Sequence, residues 1–245
     1  GKLALDIILS NNNFRRQMVT SIREPDALTD EQRATLARDI RTFAQTNAYF
    51  ERFIVYRPDG TVVWATIASD VGKVVTLQPY FRPSLQQREH LQAPFYDLST
   101  TELTMIITHH IVDDEGKLAG VLAGKISLTV LGDIMTERTG LSTSGETYLV
   151  SRQNSYLLTP SRFPGYERQR AYRSDGIAQA LQSQNGSGIY LNYQNPPQSV
   201  IGVYRWIPEL EAALLAEVNQ EEVLAASRQA RSEERRVGKE CRSRW

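Results

Sequence analysis

Cysteine is nearly absent: Cys241 is the only one in 245 residues. No intrachain disulfide can form, so burial and hydrogen bonding must hold the fold, and thiols say nothing about compartment. Net charge is absent as well, with 28 Lys and Arg against 28 Asp and Glu. No overall field draws the chain toward nucleic acid or anionic lipid. No stretch approaches the roughly 18 apolar residues of a membrane span, and the start lacks a signal-peptide pattern. The chain as given is expected to be soluble, as a segment cut from a membrane protein would be. Phosphate loops, nucleophile elbows and paired catalytic carboxylates are missing, which argues against an enzyme. Histidine is scarce too: His90, His109 and His110. Neighbouring strand residues point to opposite faces, so His109 and His110 cannot share an ion, and no Cys or carboxylate stands at ligand spacing. Structural or pocket-lining roles are expected for them, with no metal and no cofactor.

The chain is 41% hydrophobic and 23% charged, the balance of a folded globular protein. Its centre is the stretch Leu103 to Leu128. A β-branched run, Thr104 to Val112, meets an acidic turn, Asp113-Asp114-Glu115-Gly116, and a second run rich in small residues, Leu118 to Leu128. Two β-prone arms around such a turn predict a hairpin, too apolar to lie at an exposed edge. Gly120 and Gly124 leave room above the second arm, as glycine does where a ligand or another backbone comes close. Lys125 inside that arm is costly unless it meets an anion or reaches water.

Leu3, Ile7, Phe14, Met18 and Ile22 recur at spacings of four and seven, predicting one long helix with a narrow apolar stripe that ends at Pro25. The narrowness suits a weak parallel homodimer contact. Thr29-Asp30-Glu31-Gln32 is a capping-box pattern that opens a second helix over about Asp30 to Thr46. A hairpin follows, Phe53 to Tyr56 and Thr61 to Trp64, around Arg57-Pro58-Asp59-Gly60. From Ile67 to Leu98 the pattern is irregular, with a short helix expected around Ser84 to His90. Another helix is expected over Val130 to Arg138.

The second half echoes the first. Tyr148 to Ser151, a turn, and Tyr156 to Thr159 repeat the early hairpin at an offset of 148 − 53 = 95 residues. After an Arg- and Tyr-rich segment, Ser161 to Gly188, three strand-like runs close the unit: Ile189 to Tyr193, Val200 to Trp206 and Ala213 to Val218. Two copies of one module are implied. Arg162, Arg168, Arg170 and Arg173 with Tyr166 and Tyr172 line an anion site, form a solvated face or bridge the two modules. A helix is expected over Glu221 to Arg231. From Ser232 to Trp245 the sequence is charge-dense without periodicity and resembles a fusion scar.

Leu141-Ser142-Thr143-Ser144-Gly145-Glu146-Thr147-Tyr148-Leu149-Val150 resembles the opening of the membrane-proximal module of double Cache sensor domains. Pro79-Tyr80-Phe81-Arg82, the Gly116 to Leu128 arm, and Ile207-Pro208 to Glu217-Val218 agree with it, in family order, over about Leu3 to Arg231. The resemblance implies an α+β fold: a long N-terminal helix, then two PAS-like modules, each a mainly antiparallel sheet with helical or loop inserts. The expected divisions are N-terminal helices over 1–47, a membrane-distal module over 48–130 and a linker over 131–144. A membrane-proximal module over 145–220, a helix over 221–231 and a non-native tail over 232–245 complete them.

The same resemblance implies an extracytoplasmic small-molecule sensor of a bacterial transmembrane receptor. Such domains serve chemoreceptors, histidine kinases and nucleotide cyclases, anchored by spans outside this chain, with ligand in the distal module. The insert should fold over one sheet face, so the expected ligand-binding residues are Tyr80, Phe81, Arg82, Phe95, Tyr96, Asp97, His109 and Lys125. Family members that bind amino acids carry an arginine where register gives Gln78, and an aspartate where it gives Lys125; Lys73 also falls at a site position. An anionic or carboxylate ligand is therefore expected rather than an ordinary amino acid. The alternatives are a soluble α+β enzyme on a small polar substrate and a ligand-free dimerisation module.

Overall fold

The computed structural model describes residues 2–47, 49–97, 102–126, 128–136 and 142–225. Two compact units divide between Val130 and Leu131. The expected tail and most of the last helix lie outside the described residues; residues 220–225 are helical.

The first unit opens with helices α1 (Lys2–Ser10), α2 (Asn12–Arg23) and α3 (Asp30–Thr46). The single long helix expected at the start is two, because Asn11 caps a new one: its side chain accepts from the N–H groups of Asn13 and Phe14, both at 3.1 Å. The break shifts the helical phase and splits the apolar stripe. Phe14, Met18 and Ile22 are buried, while Ile7 is 62% exposed and Leu5 and Leu9 turn inward in its place. α2 packs on the sheet of its own unit, which buries Phe14, Met18 and Ile22 there. The α3 capping box forms as expected, with Thr29 and Gln32 each accepting the other's backbone N–H.

Five antiparallel strands follow: β1 (Phe50–Tyr56), β2 (Val62–Ala65), β3 (Glu89–Asp97), β4 (Glu102–Val112) and β5 (Leu118–Ile126). Their order is β2-β1-β5-β4-β3, which puts the predicted β4–β5 hairpin inside the sheet. A short helix, α4 (Phe81–Gln86), precedes β3. It starts and stops earlier than expected, with Pro83 in the first turn, where no N–H is needed. β3 itself forms within the segment whose pattern is irregular. Pro94 argues against a strand, but β3 is the sheet edge and its pairing with β4 is irregular between Gln92 and Phe95, so no ladder bond is lost.

Alternation gives this sheet two faces. The helices cover one: a Cβ on Gly120 would strike Ile22, and one on Gly124 would strike Phe50 and Phe53. The glycines of β5 thus admit helix and aromatic packing, not a ligand. The opposite face carries Arg52, Ile54, Ile106, Ala123 and Lys125, and lies under the segment between β2 and β3.

The second unit carries α5 (Leu128–Thr136, begun in the first), β6 (Glu146–Ser151), α6 (Asp175–Leu181), β7 (Gly186–Leu191), β8 (Ser199–Ile207) and β9 (Ala212–Asn219). Sheet order is β6-β9-β8-β7, the same path as β1-β5-β4-β3. The expected partner arm Tyr156 to Thr159 is reduced to isolated bridges, Val150 with Leu157 and Tyr156 with Ala171; Pro160 ends it. α6 forms within the Arg- and Tyr-rich segment, where no helix is expected; Ser174 caps it, accepting the Ile177 N–H at 3.1 Å.

Candidate functional site

The site begins with a bulge. Phe50 pairs with Ile126 and Arg52 with Lys125, so Glu51 is an extra residue on β1. The insertion lets Phe50 and Phe53 share the helix-covered face while Arg52 turns to the other. It also brings the Glu51 carboxylate to 3.0 Å from the Lys125 ammonium, whose side chain is 5% exposed. A buried lysine without such partners would shed its proton or destabilise the strand.

Above this row lies a cavity of ≈ 310 Å³. Ile54, Val62, Val75, Ile106 and Ala123 supply its apolar wall. Arg52, Lys73, Lys125, Asp70 and Asp97 supply its charges, with Gln78 and Tyr80 beside them. Asp70, only 7% exposed, accepts from Arg52 at 3.2 Å and from Lys73 at 2.6 Å. The other arm of the Arg52 guanidinium stands 3.8 Å from Asp97. Each buried carboxylate therefore faces a cation, which offsets the cost of removing it from water. Burial pushes the Tyr80 hydroxyl well above its ordinary pKa, so it remains a neutral donor at physiological pH.

Of the eight residues expected to bind ligand, Tyr80, Asp97 and Lys125 line this cavity. Phe95 stands one layer back, its ring 6.2 Å from that of Tyr80. The other four are placed elsewhere. Phe81 is buried behind Tyr80 against Tyr56. Arg82 is exposed, because the α4 turn that buries Phe81 and Ser84 carries position 82 to solvent. Tyr96 neighbours Asp97 on a strand and so falls on the alternate side. His109 sits on β4 three residues from Ile106, on the helix-covered face. Lys73 and Gln78, reached through the family register, do line the cavity. Arg52 and Asp70 were missed. A charge inside the apolar run Phe53 to Tyr56 would have been a signal for Arg52, but it lies one residue outside; Asp70 gives none.

In the second unit the corresponding face is filled. Tyr148, Tyr172, Tyr193 and Tyr204 pack with Ile177 and Ala180 of α6 into a continuous core. Glu146 and Glu217 lie directly opposite each other on β6 and β9, both nearly fully buried. Glu146 accepts from Tyr193 (2.8 and 2.9 Å), Ser161 (2.7 Å) and the Arg162 N–H (2.9 Å). Tyr148 donates to Glu217 at 2.9 Å. Burial, with a smaller push from Glu146, raises Glu217 to about 7. Of the arginines proposed for an anion site, Arg168, Arg170 and Arg173 are exposed, and Arg162 donates to the carbonyls of Ser142 and Gly145. The solvated reading fits them.

Residues 4–227 match the family model of the Cache domain, dCache_1. The chain belongs to the double Cache family. Solved structures with this fold include the extracellular domain of a histidine kinase, rpHK1S-Z16, at 13% identity and TM-score 0.60, over 88% of each chain. The V. cholerae histidine kinase DctB sensor domain matches at 11% identity and TM-score 0.60, over 88% of this chain and 87% of that one. The sensory domain of the Campylobacter jejuni chemoreceptor Tlp3, solved with isoleucine bound, matches at 14% and 0.58, over 90% and 88%. No curated protein sequence matches the chain. Among the described residues of this double Cache chain, no helix is long and apolar enough to cross a membrane.

Proposed function

We propose that this chain is the extracytoplasmic sensing region of a bacterial transmembrane signalling receptor, anchored by spans outside it, and that the cavity of the first unit binds a small organic anion. Family membership supports the sensing role. The observation that carries the ligand class is the cross-strand pair Arg52 and Lys125, side by side at the cavity floor with Lys73 at its wall. Three cations stand there, with Asp70 and Asp97 at the cavity and Glu51 against Lys125 as their counter-charges. A carboxylate entering the cavity gains charge-assisted hydrogen bonds from groups already oriented by their own partners. The volume lies near the lower end of the range for ligand sites, which suits a small metabolite.

Calorimetry with a panel of mono- and dicarboxylates, amino acids and amines tests this. Organic acids should bind to the wild type, and Lys125→Asp should abolish that binding. A wild type that takes up amino acids or amines but no organic acid sinks the assignment of ligand class.

A further inference from the structure

His109 is the side chain this reading leaves without a task. It is 2% exposed, and its Nε2 has no hydrogen-bond partner. Its Nδ1 lies 2.8 Å from the carbonyl oxygen of His110. A carbonyl only accepts, so Nδ1 carries a proton, and unless Nε2 carries a second one it presents a lone pair outward. That lone pair is aimed at two carboxylates: Asp6 of α1 at 3.3 Å and Glu89 of β3 at 3.5 Å. The ligand atoms of all three residues lie within 4.8 Å of one another. A lone pair facing two carboxylates is repelled unless something positive stands between them.

Two occupants meet that demand, a second ring proton or a metal ion, and distance separates them. Charge-assisted N–H···O bonds run at about 2.7–2.9 Å. Neither carboxylate is that close, and neither forms a hydrogen bond to Nε2. Two atoms each about 2.1 Å from a tetrahedral ion stand about 3.4 Å apart, whereas the edge around an octahedral ion of the same radius is about 3.0 Å. The two observed separations fit the tetrahedral edge. The Nδ1–H bond to a backbone carbonyl is also the support that metal-bound histidines usually have.

We propose that Asp6, Glu89 and His109 form a binding site for a divalent transition-metal ion, with zinc as the reference ion. One imidazole nitrogen and two carboxylate oxygens make three ligands, and the half-exposed Asp6 side chain leaves the fourth position to water. The residues are 83 and 20 positions apart in sequence (89 − 6 and 109 − 89), which hides the set from any spacing pattern. The ion joins α1 to the β3–β4 edge of the sheet, on the face away from the cavity.

The experiment uses chelator-treated protein carrying Cys241→Ser, so that the tail thiol cannot compete. Zinc titration by calorimetry should give one equivalent per chain, and cobalt(II) should give the intense visible absorption of a tetrahedral site. Asp6→Asn and Glu89→Gln should each weaken zinc by about tenfold or more, with unchanged circular dichroism. His109→Gln should abolish binding; if it fails to fold, the two carboxylate variants decide. No zinc binding, or binding that survives both carboxylate substitutions, overturns the proposal. So does NMR that finds the His109 ring doubly protonated and unmoved by zinc, which would make the cluster an ion pair.

Discussion

The two sheets follow one path and carry opposite charge at one row. In the first, Arg52 and Lys125 stand opposite each other on β1 and β5; in the second, Glu146 and Glu217 hold the matching places on β6 and β9. The cationic row floors a cavity and borrows its counter-charges from Glu51, Asp70 and Asp97. The anionic row is roofed by Tyr148, Tyr193 and Ser161, whose hydroxyls satisfy it and fill the space. Side chains that reach a partner only from the cavity rim leave a hollow; bulky donors that reach it directly close one. Receptivity is thus a property of what covers the row, not of the sheet.

The largest break expected in this contrast is Glu146→Ala. It strands the donors of Tyr193, Ser161 and the Arg162 N–H in the interior. At about 1–3 kcal/mol per stranded group, partly relieved because Ser161 and Tyr193 can bond to each other, the loss should be roughly 4 kcal/mol. Urea unfolding, with hydrogen exchange on β6 and β9, measures it. A loss below about 1 kcal/mol would mean water replaces the carboxylate, and that the second unit is less filled than described.

The next effect depends on pH. Glu217 is raised to about 7 from 4.5, so between these values the folded unit holds a proton that the unfolded chain has released. Stability from this group is therefore full below about pH 4.5, falls as pH rises through 7, and is level above it. The span corresponds to roughly 3 kcal/mol. Glu217→Gln should flatten that part of the profile. Parallel wild-type and variant curves would remove Glu217 from the account.

The smallest effect sharpens the contrast from the other side. Asp70→Asn removes the anion shared by Arg52 and Lys73 and should cost about 2 kcal/mol. The cavity then becomes more cationic, so affinity for organic acids should rise while stability falls. If both fall together, Asp70 positions the ligand instead of balancing the floor.

Much of this architecture is legible in the sequence. The α3 limits follow from the Thr29 box, the β4–β5 hairpin from its acidic turn, and β7 to β9 from their apolar runs. β3 is not, because an edge strand tolerates Pro94 and an irregular register that no periodicity rule reads as strand. The internal echo is legible only to within a residue. The offset of 95 aligns the turns at Arg57 and Arg152, but the charged rows lie 146 − 52 = 94 apart, and one residue exchanges the faces of a strand. Lys125 announced itself as a charge among small residues, whereas Asp70 and the Asp6–Glu89–His109 cluster exist only once distant segments are folded together.

The bulge at Glu51 has a consequence for how such a protein can diverge. Past it, residues 52 and 54 face the cavity and residues 53 and 55 face the helices, while in β5 the cavity takes 123 and 125 and the helix side takes 120, 122 and 124. Cavity lining and core packing are written in alternate codons of the same strands. Point mutation can rewrite the cavity wall without disturbing the packing, but deletion of the single codon for Glu51 would transpose the two texts at the start of β1.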